Sequence, residues 1–556
     1  MIRAPLRIAS RDVRRLELAA VCILLLSAAF LRLYRLDAFP PGNLDDVATN
    51  GLDIRDVLAG QLQVFFPRNH GREALFIYFQ ALLVRFGGIS PLVFAFSAAM
   101  MGVLAAALAY RLFRMWFGPA VGWLAAMLMS SSLWFIITGR IGLRAVTMPV
   151  VTTALLYLLW RLLETGRRRY AWLGGLALGL SLYTYIAARL LPLLVILLCL
   201  TQAQTALKRW RELALLVLVS CAVFAPEGAY FAQHRDELFL RTQQVWVFNP
   251  QPDIRGAVNT PLQSLANTAG MFFVDGDRDR QQNLPGRPIF DPLLGGLFAL
   301  GLAGSLWLAR RGVAYRWLLL WLVVMCLPSA LSHESPETFR ILGAGPAIFA
   351  FPALGLRWLA VRLRVAVALP VLAALLAVWS FGSGFELYFR QWLPDPATYT
   401  IYNGSASKLA QFVATRSESH LFFGFHDSAP VELAVPRTSQ GDWFADDVAA
   451  LPLASQEGDG LYVASPAALL SRMGPASLPG LMPLAHPTDP RGQPDFLAWA
   501  WPAAARNAFL AQQQSLRADM LPDLRLVSWS TALSGDSTTV NLSLIHISEP
   551  TRQAEI

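Results

Sequence analysis

The feature that most limits what this chain can become is a succession of apolar segments. About eleven stretches near twenty residues long lie at roughly 16–36, 91–113, 118–138, 145–163, 170–187, 189–202, 212–230, 292–309, 314–331, 339–360 and 363–383. About 20 apolar residues in a helix bridge the hydrocarbon core of a bilayer, and in lipid a helix satisfies its own backbone groups. The sequence therefore predicts a polytopic α-helical membrane protein with about eleven transmembrane helices. Composition agrees, with 55% of the 556 residues hydrophobic and 15% charged, against about 25% charged in soluble domains. The first run is too long for a secretory leader and ends in LRLYRLD without a small-residue cleavage site, so it reads as an uncleaved anchor.

Lys and Arg outnumber Asp and Glu by 46 to 37. The basic residues form short clusters between apolar runs, not one stripe, which argues against nucleic-acid binding and for topology signals. Arg3, Arg7, Arg11, Arg14 and Arg15 place the N-terminus in the cytoplasm. Alternate loops from there, Arg111–Arg114, Arg161–Arg169, Lys208–Arg211, Arg310–Arg316 and Arg357–Arg364, are all dense in Arg and Lys. That agreement requires Ala74–Phe86 to lie at the membrane surface as an amphipathic helix and not to cross. The regions at about 37–90, 231–291 and from 384 onward are then extracytoplasmic. The four cysteines lie in apolar runs without a Cys-x-x-Cys pair, so neither a disulfide framework nor a cysteine metal site is expected.

Residues 1–383 form the expected membrane domain, and 384–520 a small extracytoplasmic α/β domain. Within the latter, SASKLAQFVATR and PAALLSRM read as helices, HLFFGF and GLYVA as buried strands. LRLVSWSTALSGDSTTVNLS alternates about a Gly-Asp turn, so 521–541 read as the start of a truncated β-rich domain. The final LSLIHISEPTRQAEI, Leu542–Ile556, reads as a translated sequencing adapter, and the natural chain is expected to continue beyond Asn541.

Asp45 and Asp46 follow the first run directly, after a Pro-Pro-Gly turn. Paired carboxylates beside a low-dielectric surface repel, and one of them can serve as a base near neutral pH. The plainer reading is the N-terminus of a helix through Val47–Leu58. Asp53 and Asp56 read as a solvated face. His70, Arg72 and Glu73 cluster before the surface helix, where Arg72 could hold a phosphate. Glu73 with His70 could instead ligate a divalent cation, a weak candidate pair. Arg140, Arg144, Arg189 and Arg340 stand on the expected outer side, against the topology rule, where they would stabilise a lipid-linked phosphate or simply anchor headgroups.

At these loops the sequence resembles membrane glycosyltransferases of the GT-C class, in the group of protein O-mannosyltransferases and aminoarabinose transferases. The carriers are Asp45-Asp46, GREALFIYFQALLVRFGG, GRIGLRAVTMP, LGLSLYTYIAARLLP, GDRDRQQNLPGRPIFD and SHESPETFRILGAGP, together spanning most of residues 30–385. The resemblance implies a GT-C fold and transfer of a sugar from a polyprenyl-phosphate donor to a protein, lipid or glycan acceptor outside the cytoplasm, with inversion. It makes Asp45 the base. Asp46 stands where the family pattern has Glu. Arg72 replaces the first residue of a His-Pro-Pro or Lys-Pro-Pro segment, and Arg140 lacks the acid that follows it in relatives. No cofactor is implied, and a divalent cation stays open.

No Gly-x-x-x-x-Gly-Lys-[Ser/Thr] segment occurs, which speaks against an ATP-driven pump. Charges fall at the ends of runs, whereas secondary transporters place them near the midplane. A lipid-linked glycan flippase is the alternative, followed by a scaffold displaying the C-terminal domain.

Overall fold

The computed structural model describes residues 10–38, 40–248, 259–424, 429–444, 458–466, 480–484, 487–512, 514–521, 524–534 and 537–546. Every apolar run is helical. Among the described residues seven helices are long and apolar enough to cross a membrane: Arg14–Leu33, Pro91–Phe117, Arg144–Thr165, Trp210–Gln233, Val313–Ala330, Phe339–Arg362 and Ala366–Trp392. The protein is a multi-pass membrane protein.

Four of the eleven expected runs are broken or shortened. These fold as the shorter helices Pro119–Ser131, Arg168–Ser181, Ile186–Leu200 and Pro292–Leu308. Local polar chemistry explains two of the breaks. Ser132 leaves helical geometry, and its hydroxyl accepts from Phe135 N to start Leu133–Thr138. Between Ser181 and Ile186 the chain passes through a turn, after which Pro192 stands in the first turn of Leu191–Leu200. Ala74–Gly87 has 14 residues, about 21 Å of rise, which is too short to cross. It buries Phe76, Ile77 and Val84 and exposes Leu82 and Phe86.

Small residues decide how tightly the helices pack. A Cβ on Gly301 would collide with the Phe351 carbonyl, and one on Gly355 with the Leu297 carbonyl. The helices Pro292–Leu308 and Gly345–Arg362 therefore meet backbone to backbone, as small residues allow in membranes. Arg32 is fully buried and gives its guanidinium to the carbonyls of Ala28, Ser130 and Phe135.

The chain divides into two compact units, one of Met1–Pro40 with Thr49–Ile401, the other of Pro41–Ala48 with Tyr402–Ile556. The second unit thus takes up the chain from Tyr402. The last long helix continues as a π-helical turn, Glu386–Trp392, and a short helix, Pro396–Ile401, both still in the first unit.

The second unit contains a five-stranded sheet in the order Asp442–Phe444, His420–Gly424, Gly460–Ala464, Leu497–Trp501, Met482–Pro483. The first three strands are parallel and the rest antiparallel. SASKLAQFVATR forms the helix Gly404–Ala414, whose Leu409 and Val413 pack with Leu421, Phe423 and Val463. The expected helix over PAALLSRM lies almost wholly outside the described residues. Gln514–Leu521, Leu524–Ser534 and Ser537–His546 form an antiparallel sheet. Its last strand runs into the segment read as adapter, and the Gly-Asp turn falls outside the described residues.

Candidate active site

Asp45 and Asp46 occupy the first turn of the helix Asp45–Leu58, where acids complement the helix dipole. Asp45 is exposed and Asp46 partly so. Asn403 holds the first of them: its amide donates to Asp45 Oδ1 at 2.6 Å and to the Asn43 carbonyl at 3.0 Å. Asn403 adopts a left-handed conformation, φ 53°, immediately before the helix Gly404–Ala414. Gly42 makes the approach possible, because a Cβ there would strike the Tyr402 carbonyl and Ser407 Oγ. The Pro-Pro-Gly turn thus presents Asp45 to an amide about 360 residues away in sequence, a partner that no local pattern announces.

Further along the same helix, Asn50 and Asp53 share a face. Arg72 Nε donates to Asn50 Oδ1 at 3.3 Å. Arg68 bridges Asp53 at 2.8 Å and Asp56 at 2.6 Å. The solvated-face reading of this pair is therefore corrected: Asp53 is only 2% exposed. Burial pushes its carboxyl up to about 6, against the pull of its hydrogen bond from Arg68. The missed signal was periodicity, since Val47, Asn50 and Ile54 mark the buried face on which Asp53 falls.

Arg72 and Glu73 are fixed by a short antiparallel pairing with Phe65–Phe66. Both side chains are buried. Glu73 accepts from Arg144 Nε at 2.7 Å, and the Arg144 guanidinium lies 5.6 Å from the Tyr185 ring centre. Arg189 donates to the Leu238 carbonyl at 2.7 Å and covers the Phe231 ring, whose edge meets Phe65 at 4.9 Å. Glu227, only 1% exposed, lies within electrostatic reach of both Glu73 and Arg189. Arg144 is thereby paired with Glu73 and Arg189 lies within reach of Glu227, while Arg72 faces Asn50 and the charge of Asp53. Glu227 escaped the sequence reading, although an acid inside an apolar run is itself a signal.

The other two predicted arginines are engaged elsewhere. Arg140 is fully buried and gives hydrogen bonds to the carbonyls of Leu31, Arg32 and Arg35 and to the Tyr388 hydroxyl, closing the end of the first long helix. Arg340 is paired with Glu334 and Glu337 of its own loop. Of the weak cation ligands, Glu73 is taken by Arg144, and His70 Nδ1 accepts from Gln244 at 3.1 Å. Among the described residues no cluster of three or more His, Cys, Asp or Glu is arranged for a metal.

In the loop 231–291 an acid does the anchoring. Asp277 accepts from Thr338 N and Oγ1, both at 2.8 Å, and from Asp279 N. Burial raises its carboxyl from 3.8 to about 6 despite those donors. A folded pKa above the unfolded one means more protons bound when folded, so this contribution is full below about 4 and is lost as pH climbs through about 6. Asp277→Asn is expected to flatten the thermal-stability profile between pH 4 and 6; a profile parallel to wild type would refute this.

An apolar cavity of about 300 Å³ is lined by Leu62, Val64, Ala74, Leu75, Tyr183 and Val223, among others. Backbone and hydroxyl contacts tie its walls together, with Leu75 N donating to the Tyr183 carbonyl at 2.9 Å.

Residues 73–230, which include Glu73, Arg144, Arg189 and Glu227, match the family model of dolichyl-phosphate-mannose-protein mannosyltransferase. No curated protein sequence matches the chain. Among solved structures, ArnT from Cupriavidus metallidurans bound to undecaprenyl phosphate aligns with TM-score 0.54 at 15% identity, over 88% of this chain and 98% of that one. Its apo form gives 0.53 at 14% identity, over 90% and 99%. The chain thus shares the fold of ArnT over most of its length, and its residues 73–230 carry the sequence pattern of the mannosyltransferase family model.

Proposed function

We propose that the protein transfers a sugar from a polyprenyl-phosphate donor to an acceptor hydroxyl on the extracytoplasmic face of the membrane, with inversion at the anomeric carbon. The observation that carries this reading is the burial of Arg72 and of the Glu73–Arg144 pair directly before Ala74 and Leu75, which line an apolar cavity. The match of residues 73–230 to a family named for a polyprenyl-phosphate sugar supports it, as does the likeness to a transferase holding undecaprenyl phosphate. In this reading the N-terminus is cytoplasmic and the loops at 37–90 and 231–291 are extracytoplasmic.

The acceptor oxygen attacks the anomeric carbon from the side opposite the phosphate. The bond from that carbon to the phosphate oxygen breaks, and Asp45 takes the acceptor's proton. The departing polyprenyl phosphate keeps the electron pair, and its charge is met by the arginines in a site of low dielectric. Arg72 is assigned the most direct phosphate contact, with Arg144 and Arg189 contributing field. Arg140 and Arg340 are assigned the support of the loops that carry them. The apolar cavity takes the first isoprene units.

Radiolabelled transfer in membranes tests this, with a panel of polyprenyl-phosphate sugars and with and without a chelator. Arg72→Ala is expected to raise the donor KM about 10- to 100-fold, the loss of a charge-assisted contact. Transfer by no donor, or an unchanged KM in Arg72→Ala, would remove this reading in favour of transport.

A further inference from the structure

Glu227 is the buried acid that the proposed mechanism leaves unused. Among the described residues neither of its carboxyl oxygens has a hydrogen-bond partner. Burying such a group without a donor is costly, so its presence calls for a ligand. The surrounding backbone is shaped around it. Pro226 lies inside the helix Trp210–Gln233 just before Glu227 and gives the ladder no N–H there. The Tyr183 hydroxyl inserts at the same place: it accepts from Glu227 N at 3.2 Å and donates to the Val223 carbonyl at 3.0 Å. Such insertion into the helical ladder is a recognised cause of a kink. Tyr183 and Val223 also line the apolar cavity. The orphan carboxyl therefore stands on a helical turn that Tyr183 bridges, and Tyr183 and Val223 of that turn line the cavity.

Chemistry narrows the ligand. Glu227 feels the positive charge of Arg189 and the negative charge of Glu73. Glu227 and Arg189 form no ion pair, and Arg189 Nη1 is spent on the Leu238 carbonyl. A group bridging the two must donate to a carboxylate and accept from a guanidinium at once. The phosphodiester that links a sugar to its lipid has no proton to donate, and an ammonium has no lone pair to offer. A hydroxyl has both.

We propose that Glu227 and Arg189 form a subsite for a hydroxyl of the sugar carried by the lipid donor, with Glu227 accepting and Arg189 donating. The inference rests on the donor reading above and adds the part of the donor that these residues read. Sites built to hydrogen-bond a hydroxyl discriminate strongly against analogues lacking it.

The test separates the lipid phosphate from the sugar. Binding to the detergent-solubilised full chain is measured for undecaprenyl phosphate alone and for undecaprenyl phosphate carrying mannose, arabinose or N-acetylglucosamine, with wild type, Glu227→Gln and Glu227→Ala. At least one sugar is expected to tighten binding by wild type over the bare lipid by about 10- to 100-fold. Both variants are expected to lose that increment and keep the bare-lipid affinity, which also reports that they are folded. A full increment in both variants overturns the proposal, as does a wild type for which no sugar improves on the bare lipid. Failure of wild type to bind the bare lipid would instead overturn the donor reading itself.

Discussion

Asp45→Asn is expected to lower sugar transfer about a thousand-fold while leaving the unfolding transition nearly in place. The substitution removes the lone-pair basicity of a carboxylate and little else. The new amide oxygen still accepts from Asn403, whose donation at 2.6 Å now orients Asp45. The side chain is exposed, so packing is not disturbed. Its helix start loses one favourable charge, worth roughly 0.3–1 kcal/mol. Asn403→Ala gives the matching control: the base remains but is no longer aimed, and a loss of about tenfold in kcat with little change in donor KM is expected. Equal label incorporation by wild type and Asp45→Asn would show that another group takes the proton.

The second large effect is on stability. Glu73 and Arg144 form an ion pair at 2.7 Å with side chains only 5% and 9% exposed. Removing one member of a buried pair leaves the other charged and unsolvated, at about 3–5 kcal/mol. Glu73→Ala is therefore expected to lower the melting temperature in detergent sharply. The double variant Glu73→Met with Arg144→Met is expected to recover most of that loss, because two apolar side chains need no solvation. It should nevertheless bind undecaprenyl phosphate poorly, since the field of Arg144 is gone. A single variant as stable as wild type would mean that water reaches the pair and that the site is more open than its burial indicates.

The helical membrane fold was legible because apolar runs of spanning length admit few other solutions, and the loop chemistry pointed to the first loop and its arginines. Break points were less legible. Ser132 ends one run by capping the next helix, and a hydropathy average does not register a single hydroxyl. Distances across the sequence were not legible at all. Arg140 and Arg144 stand four positions apart in the same loop, yet one is consumed by the end of the first helix and the other faces Glu73. Nothing in the spacing distinguishes them; only the tertiary partners do. Glu227 and Asp277 carry no local pattern that marks their roles, since the Arg189 charge and the Thr338 donors that face them lie far away in sequence.

The hydroxyl of Tyr183 leaves position 183 with almost no freedom to vary. Phenylalanine would keep the ring against the cavity and remove the one atom that serves both Glu227 N and the Val223 carbonyl. The helix would then have two outcomes. It can draw its ladder closed and swing the Glu227 carboxylate away from Arg189, or keep its bend and leave an amide and a carbonyl unserved, at about 1–3 kcal/mol each. A single oxygen atom thus couples the shape of one helix to the aim of one carboxylate, and neither can be altered there without the other.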